Sequence, residues 1–286
     1  MTPSAASSAL TEARLAEVRG RPQFRGACER FGRGALEHFA HLAPLHQWVT
    51  KDLGRGSITL TALILQLRGD LTMQALTTAC VGQGVSSPGR VTQLVRRAQD
   101  AGEVTVDDGP GIWTRRPLRM GPVFLQSARS RLIVDIESML MLWPELAPVR
   151  EVIADDVGYL NFVLVIGFII SRRRDIFGLS ARPPLNIFLN REAGIHILLE
   201  LMTAQAPDRV RLLEEARISR NALSHRYDVS RAHVNKLLAD SGHTRADGDR
   251  VVFTPELSDS LERHMSLIFS LTHLVSQCLL DGWRFG

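Results

Sequence analysis

Residues 219–242 read Ser-Arg-Asn-Ala-Leu-Ser-His-Arg-Tyr-Asp-Val-Ser-Arg-Ala-His-Val-Asn-Lys-Leu-Leu-Ala-Asp-Ser-Gly, and this stretch decides the fold. Ser219 is placed to cap a short helix over 221–227, its hydroxyl accepting from the unpaired N–H groups of the first turn. Asp228-Val229 makes a turn. Ser230 caps a second helix over 231–241, and Gly242 ends it. Beyond it, 244–246 and 250–253 flank Asp247-Gly248, a pair favoured in two-residue hairpins. Two helices about a tight turn are thus followed by a two-stranded hairpin.

The second helix has two faces. Val234, Leu237 and Leu238 recur at helical spacing and predict a buried side. Ser230, Arg231, His233, Asn235 and Lys236 make the other, and 229–239 contains no acid. Arg and Lys donate to guanine, and Asn pairs with adenine. Arg231 lies at the helix start, the end that enters the major groove in helix-turn-helix proteins. Arg245 and Arg250 flank the hairpin, where phosphate contacts would fix register without reading sequence.

A looser copy lies at 71–116. A helix is expected over 71–81, with Asp70 as its cap and Gly82-Gln83-Gly84 as its end. Ser86-Ser87-Pro88 restarts the helix, a Ser cap followed by Pro at the first helical position. Val91, Leu94, Val95 and Ala98 face inward; Ser86, Ser87, Arg90, Thr92, Gln93, Arg96 and Arg97 face out, again without an acid between 85 and 99. Ser87 stands at a helix N-terminus, where backbone N–H groups can hold a phosphate. Segments 103–106 and 112–115 alternate like strands around Asp107-Asp108-Gly109-Pro110-Gly111. Arg115, Arg116 and Arg119 follow as phosphate contacts, and Trp113 is expected to pack beneath the hairpin. Ala75-Leu76 matches Ala222-Leu223, Val85-Ser86 matches Val229-Ser230, and Val91 with Leu94 matches Val234 with Leu237.

The remaining segments fill in around these two. Residues 1–22 look frayed, and Gly20, Pro22, Gly26, Gly32 and Gly34 argue against a long helix before Ala35. Helices are expected over 35–48, 58–68, 123–143, 148–170, 190–202, 209–216 and 257–280. The chain divides accordingly into an N-terminal segment (1–50, flexible then helical), a first unit (51–121), a helical core or linker (122–182), a second unit (183–256) and a C-terminal core helix (257–286).

Formal net charge is +4 at a pI near 9.4, a mild bias toward anionic partners. The cations are nearly all Arg, with Lys only at Lys51 and Lys236. Arg suits bidentate phosphate and guanine contacts, although GC-rich codon usage gives the same bias. Cys28, Cys80 and Cys278 are scattered, without zinc spacing or a disulfide framework, which fits a reducing bacterial cytoplasm. No signal pattern opens the chain, and the longest apolar run, 158–170, is short of the ~20 residues a spanning helix needs. No membrane role is expected.

Catalytic patterns are missing. There is no phosphate-cradling Gly-Lys-Ser/Thr loop, nucleophile elbow or dinucleotide fingerprint. Adjacent Asp155 and Asp156 would point apart on a helix. Cys28, His38, His41 and His46 do not complete a metal set, so neither enzyme activity, metal nor cofactor is expected. Cys80 is read as a small buried filler, with redox sensing as its alternative.

The motif from Ala222 to Leu238 resembles winged helix-turn-helix transcription regulators of the MarR-like kind, here with two units in one chain. The resemblance covers 71–121 and 190–256. It implies a mainly α fold: two units of three helices plus a β-hairpin wing, joined by long amphipathic helices in pseudo-two-fold fashion. It implies a sequence-specific double-stranded DNA-binding regulator, acting as a monomeric pseudo-dimer or a homodimer. Its two recognition helices would lie about 34 Å apart to enter successive major grooves. The sequence leaves room for a small-molecule effector between 123–143 and 148–170 but identifies none. Two other readings stay open: a tandem winged-helix module for protein interaction or chromosome organisation, and a plasmid or phage replication initiator.

Overall fold

The computed structural model describes residues 1–82, 84, 86–108, 110–177, 183–206 and 209–284. The expectations resting on Gln83, Val85 and Gly109 lie outside the described residues, as do residues 178–182 at the end of the expected core or linker (122–182). The fold is mainly helical with small antiparallel sheets. The chain divides into two compact units, one of Met1–Glu37 with Ile133–Gly286, the other of His38–Leu132.

The first unit opens with α1 (Pro3–Ala9), α2 (Glu12–Arg19) and α3 (Phe24–His41), whose last residues pass into the second unit. There follow α4 (Pro44–Thr50), α5 (Leu53–Leu67), α6 (Met73–Gly82), α7 (Pro88–Asp100), β1 (Val104–Val106), β2 (Leu118–Met120) and the start of α8 (Pro122–Met139). The chain returns to the first unit for α9 (Val149–Ala154), α10 (Asp156–Arg172), α11 (Arg174–Phe177), α12 (Asn186–Asn190), α13 (Gly194–Thr203), β3 (Glu215–Arg217), α14 (Arg220–Tyr227), α15 (Arg231–Asp240), β4 (Thr244–Asp247), β5 (Arg250–Phe253) and α16 (Pro255–Leu280).

Helix α16 is the core of the first unit. Leu257, Leu261, Met265, Phe269 and Val275 are all sealed from solvent, and α1, α2, α9 and α10 pack around them. Phe269 meets Phe24 and Phe31 edge-on, with centroids 6.1 and 5.9 Å apart, the geometry an aromatic quadrupole favours.

The N-terminal 22 residues, expected frayed, form two capped helices. Thr2 Oγ1 accepts from Ala5 N and Thr11 Oγ1 from Arg14 N. Ala6, Leu10, Leu15 and Val18 are buried, so tertiary packing holds helices too short to persist alone. The glycines before Ala35 do not interrupt α3. A Cβ would stand 2.8 Å from Met141 Cε at Gly26, 2.7 Å from Met202 Cε at Gly32 and 2.6 Å from Val134 Cγ1 at Gly34. These positions are small because neighbours press on the helix, and that packing outweighs a propensity cost of about 1 kcal/mol each.

Three further expectations are corrected in this unit. The helix expected over 148–170 breaks at extended Asp155, whose Oδ2 caps α10 by accepting from Gly158 N at 3.0 Å; the segments either side are bent by 115°. No single helix among the described residues is long and apolar enough to cross a membrane. Residues 209–216 are not helical. Glu214 Oε1 accepts from the N–H groups of Val210 and Arg211, and Gln205 Oε1 from those of Glu214 and Glu215. Side-chain acceptors satisfy the backbone there, and the chain runs on into β3. The helix expected from 190 begins at Gly194, after the separate α12.

The sheet of this unit has the order β3-β5-β4, all antiparallel, with Ala216 and Ala246 both opposite Val251. Asp247 pairs with Arg250, so the hairpin turns on Gly248-Asp249, one residue later than expected. Gly248, at φ +54°, supplies the left-handed conformation that turn needs.

In the second unit, Val91, Leu94, Val95 and Ala98 bury one side of α7. Helix α6 is capped by Thr72, whose Oγ1 accepts from Ala75 N at 3.0 Å, and not by Asp70. Strand β1 pairs with Leu118–Met120 instead of 112–115, with Val104 opposite Met120. Trp113–Arg115 forms a 3-10 turn within the connection. Strand pairing follows burial: Leu118 and Met120 cover the core, whereas Ile112 and Trp113 stay in solvent.

Candidate nucleic-acid interface

Helix α15 is shaped by its sequence. Ser230 Oγ accepts from His233 N at 3.0 Å, and Asp228 takes the left-handed conformation (φ 48°, ψ 53°) that turns α14 into α15. Val234, Leu237 and Leu238 are buried against the unit. Arg231, Asn235 and Lys236 are exposed on the opposite side. Thr244 Oγ1 donates to Leu238 O at 2.8 Å, which ties the hairpin to the end of the helix.

The exposed groups differ in how committed they are. Arg231 makes no hydrogen bond or ion pair with another described residue, and neither does Arg245 on β4. The Asn235 Oδ1 accepts from Arg220 Nη1 at 3.2 Å, and Lys236 Nζ lies 2.9 Å from Asp240 Oδ2. Asp240, one residue past the acid-free segment, also pairs with Arg191 at 3.3 Å. His233 is half-buried and its Nε2 lies 2.9 Å from Glu192 O, which anchors the helix from its side. Ser230 spends its hydroxyl on the cap. Arg250 pairs with Glu215 across the sheet at 2.6 Å, and this bond with Glu215's charge raises its pKa.

Helix α7 presents a comparable face. Ser87 caps it, accepting from Arg90 N at 3.4 Å. Gln93 and Arg96 are exposed one turn apart and bond to no other described residue. Arg90 Nη2 is held by Asp52 Oδ1 at 2.6 Å. Arg97 lies over the Trp48 ring at 4.3 Å, as does Arg55 at 4.2 Å. Ser86 Oγ is enclosed without a hydrogen-bond partner among the described residues. Arg115 Nε donates to Gln74 Oε1 at 3.0 Å and Arg116 Nε to Gly111 O at 3.3 Å, so both brace the hairpin connection. Arg119 pairs with Asp107 at 3.0 Å, a bond that lowers the carboxyl's pKa and raises the guanidinium's.

Eight of the sequence-selected side chains therefore face solvent on two helices and a strand: Arg90, Gln93, Arg96 and Arg97 in the second unit, Arg231, Asn235 and Lys236 in the first, with Arg245 beside them on β4. Two cations escaped sequence reading. Arg220 bonds to Asn235, and Arg217, with its side chain 82% exposed, stands on β3, a strand the sequence does not announce. Trp113 is 41% exposed, so its expected packing is partial, and Ile112 is 63% exposed. Among the described residues, no three His, Cys, Asp or Glu side chains gather to hold a metal. All three cysteines are buried with their thiols pushed up, chiefly by desolvation, away from the reactive thiolate.

Compared with protein-family models, curated proteins and solved structures, the chain matches none.

Proposed function

We propose that the chain is a sequence-specific double-stranded DNA-binding regulator of transcription, with two winged helix-turn-helix units in which α7 and α15 are the recognition helices. The observation that carries the reading is Arg231. It stands exposed in the first turn of α15, bonded to no other described residue, on a helix whose opposite side is sealed by Val234, Leu237 and Leu238. A long cation left without an acid on a rigid helix is suited to a bidentate contact with guanine. Asn235 one turn on would read adenine by exchanging its bond to Arg220 for one to the base. Gln93 and Arg96 give α7 the equivalent pair.

The paired cations would position the duplex. Arg115 and Arg116 are held by neutral partners and keep their charge in fixed places, which suits phosphate contacts; Arg90 and Arg250 would exchange Asp52 and Glu215 for phosphate. Each phosphate neutralised adds about 0.9 to the slope of log affinity against log salt. The two helices differ in sequence, so the site bound by one chain would be asymmetric. We place the protein in the cytoplasm on this reading, as a monomer presenting two unlike helices or as a homodimer. Selection of genomic fragments by the purified protein, then sequencing, tests the function: recovered promoter fragments sharing one motif support it, and a random set overturns it.

A further inference from the structure

The geometry points to an apolar wedge on the second unit, Ile112-Trp113, that inserts into a base step of duplex DNA and kinks it. This rests on the proposed DNA-binding function and adds to it a way of reading DNA by deformability. Ile112 and Trp113 are exposed by 63% and 41% at the tip of the connection between β1 and β2. The turn that carries Trp113 packs on α6, yet the indole and the neighbouring isoleucine leave apolar surface in solvent.

The tip is held in shape. Arg115 N donates to Ile112 O at 2.9 Å and Arg116 N to Trp113 O at 3.2 Å, closing the 3-10 turn. Arg116 Nε donates to Gly111 O, and Arg115 Nε to Gln74 on α6, the helix before α7. A braced tip loses little conformational freedom on insertion.

Charge favours nucleic acid as the occupant. After Thr114 the two side chains are followed by Arg115 and Arg116, two cations held by neutral partners, while Arg119 is balanced by Asp107 and Asp108 is the remaining acid of the connection. Among the described residues the braces use Nε of Arg115 and Arg116, and the terminal amino groups of both guanidiniums would flank a phosphate backbone. The connection is anchored to α6, the helix that packs on α7, which carries Gln93 and Arg96. Apolar side chains flanked by cations are what minor-groove proteins drive between base pairs, at flexible pyrimidine–purine steps.

The experiment uses the full chain, at low salt, with a duplex of about 30 base pairs carrying TA and CA steps. 2-Aminopurine replaces adenine at those steps, and dyes at the two ends report bending. On binding, the wild-type protein should raise 2-aminopurine emission severalfold and bring the ends closer. The Ile112→Ala/Trp113→Ala variant should still bind, with both signals lost, and Trp113→Phe should retain part of each. Circular dichroism of the variants checks that they fold. Equal signals from wild type and double variant, or wild-type binding without either signal, overturn the wedge and leave the DNA-binding function standing. Failure of the wild type to bind duplex overturns both. A blue-shifted Trp emission that depends on Trp113 with anionic phospholipid vesicles, and no such effect with DNA, overturns the wedge in favour of a membrane contact.

Discussion

The hydroxyl of Tyr227, the last residue of α14, donates to Glu200 Oε1 on α13 at 2.9 Å, and Arg226 bonds the same oxygen. Tyr227 is fully buried and Glu200 nearly so. Burial first, then the carboxylate's charge, pushes the phenol's pKa upward, so it stays a donor. This bond fixes α14, and through it the turn at Asp228 that aims α15. Tyr227→Phe removes one of two donors to a nearly buried carboxylate and should cost about 1.5–3 kcal/mol of stability, the range for a hydrogen bond to a charged group, read from the urea midpoint at unchanged slope. An unaltered midpoint would mean that Arg226 alone satisfies Glu200.

Recognition and stability should separate on α15. Arg231→Ala should leave thermal stability unchanged and lose about 1–3 kcal/mol of affinity for a selected duplex, with little change for random DNA. Leu237→Ala should do the reverse at first order, costing about 2–5 kcal/mol of stability. Calorimetry and fluorescence anisotropy on the two variants check this; equal losses on selected and random DNA for Arg231→Ala would assign it to phosphate.

Two glycines should respond oppositely to alanine. At Gly158 a Cβ would lie 1.8 Å from Val152 O, a backbone atom brought close by the bend at Asp155. Gly158→Ala must open that bend and should destabilise by more than about 3 kcal/mol, the upper part of the range for overpacking. At Gly56, within α5, nothing lies within 4 Å of a Cβ, so Gly56→Ala should stabilise by about 0.5–1 kcal/mol. Thermal melts of both variants give the signs directly.

His273 predicts an acid-sensitive core. It is 3% exposed, its ring lies 4.4 Å from Trp143, and its Nδ1 is 3.3 Å from Arg14 Nη2. Burial, then the charges of Arg14 and Arg21, lowers its pKa from 6.5 to about 4, while Glu17 opposes the shift. The unfolded chain binds the proton more readily, so protonation favours unfolding. The contribution is full above pH 6.5 and is lost as pH falls toward 4, amounting to about 3 kcal/mol. Urea midpoints at pH 7 and pH 4.5, for wild type and His273→Gln, should show a smaller drop in the variant.

The sequence makes α14, α15 and the second hairpin legible because their signals are local: two serine caps, a left-handed turn and alternation ending at a glycine. Helix α7 is legible for the same reason. What stays hidden is set by distant contacts. The glycines of α3 look like breakers until Met141, Met202 and Val134 are seen against them. Strand β3 reads as helix because the acceptors that unwind 209–214 include Gln205, outside the segment. Outward positions on α7 and α15 follow from periodicity. Their partners do not: Asp52 for Arg90 and Trp48 for Arg97 come from other helices, and only the folded chain tells these committed cations from Arg96 and Arg231.

Hydroxyl-radical footprinting on a selected genomic fragment tests the central claim most directly. The wild type should protect an asymmetric site with two strong regions; Gln93→Ala/Arg96→Ala should erase one and Arg231→Ala the other. Protection that neither variant alters, or none with the wild type at low salt, would contradict DNA reading by α7 and α15.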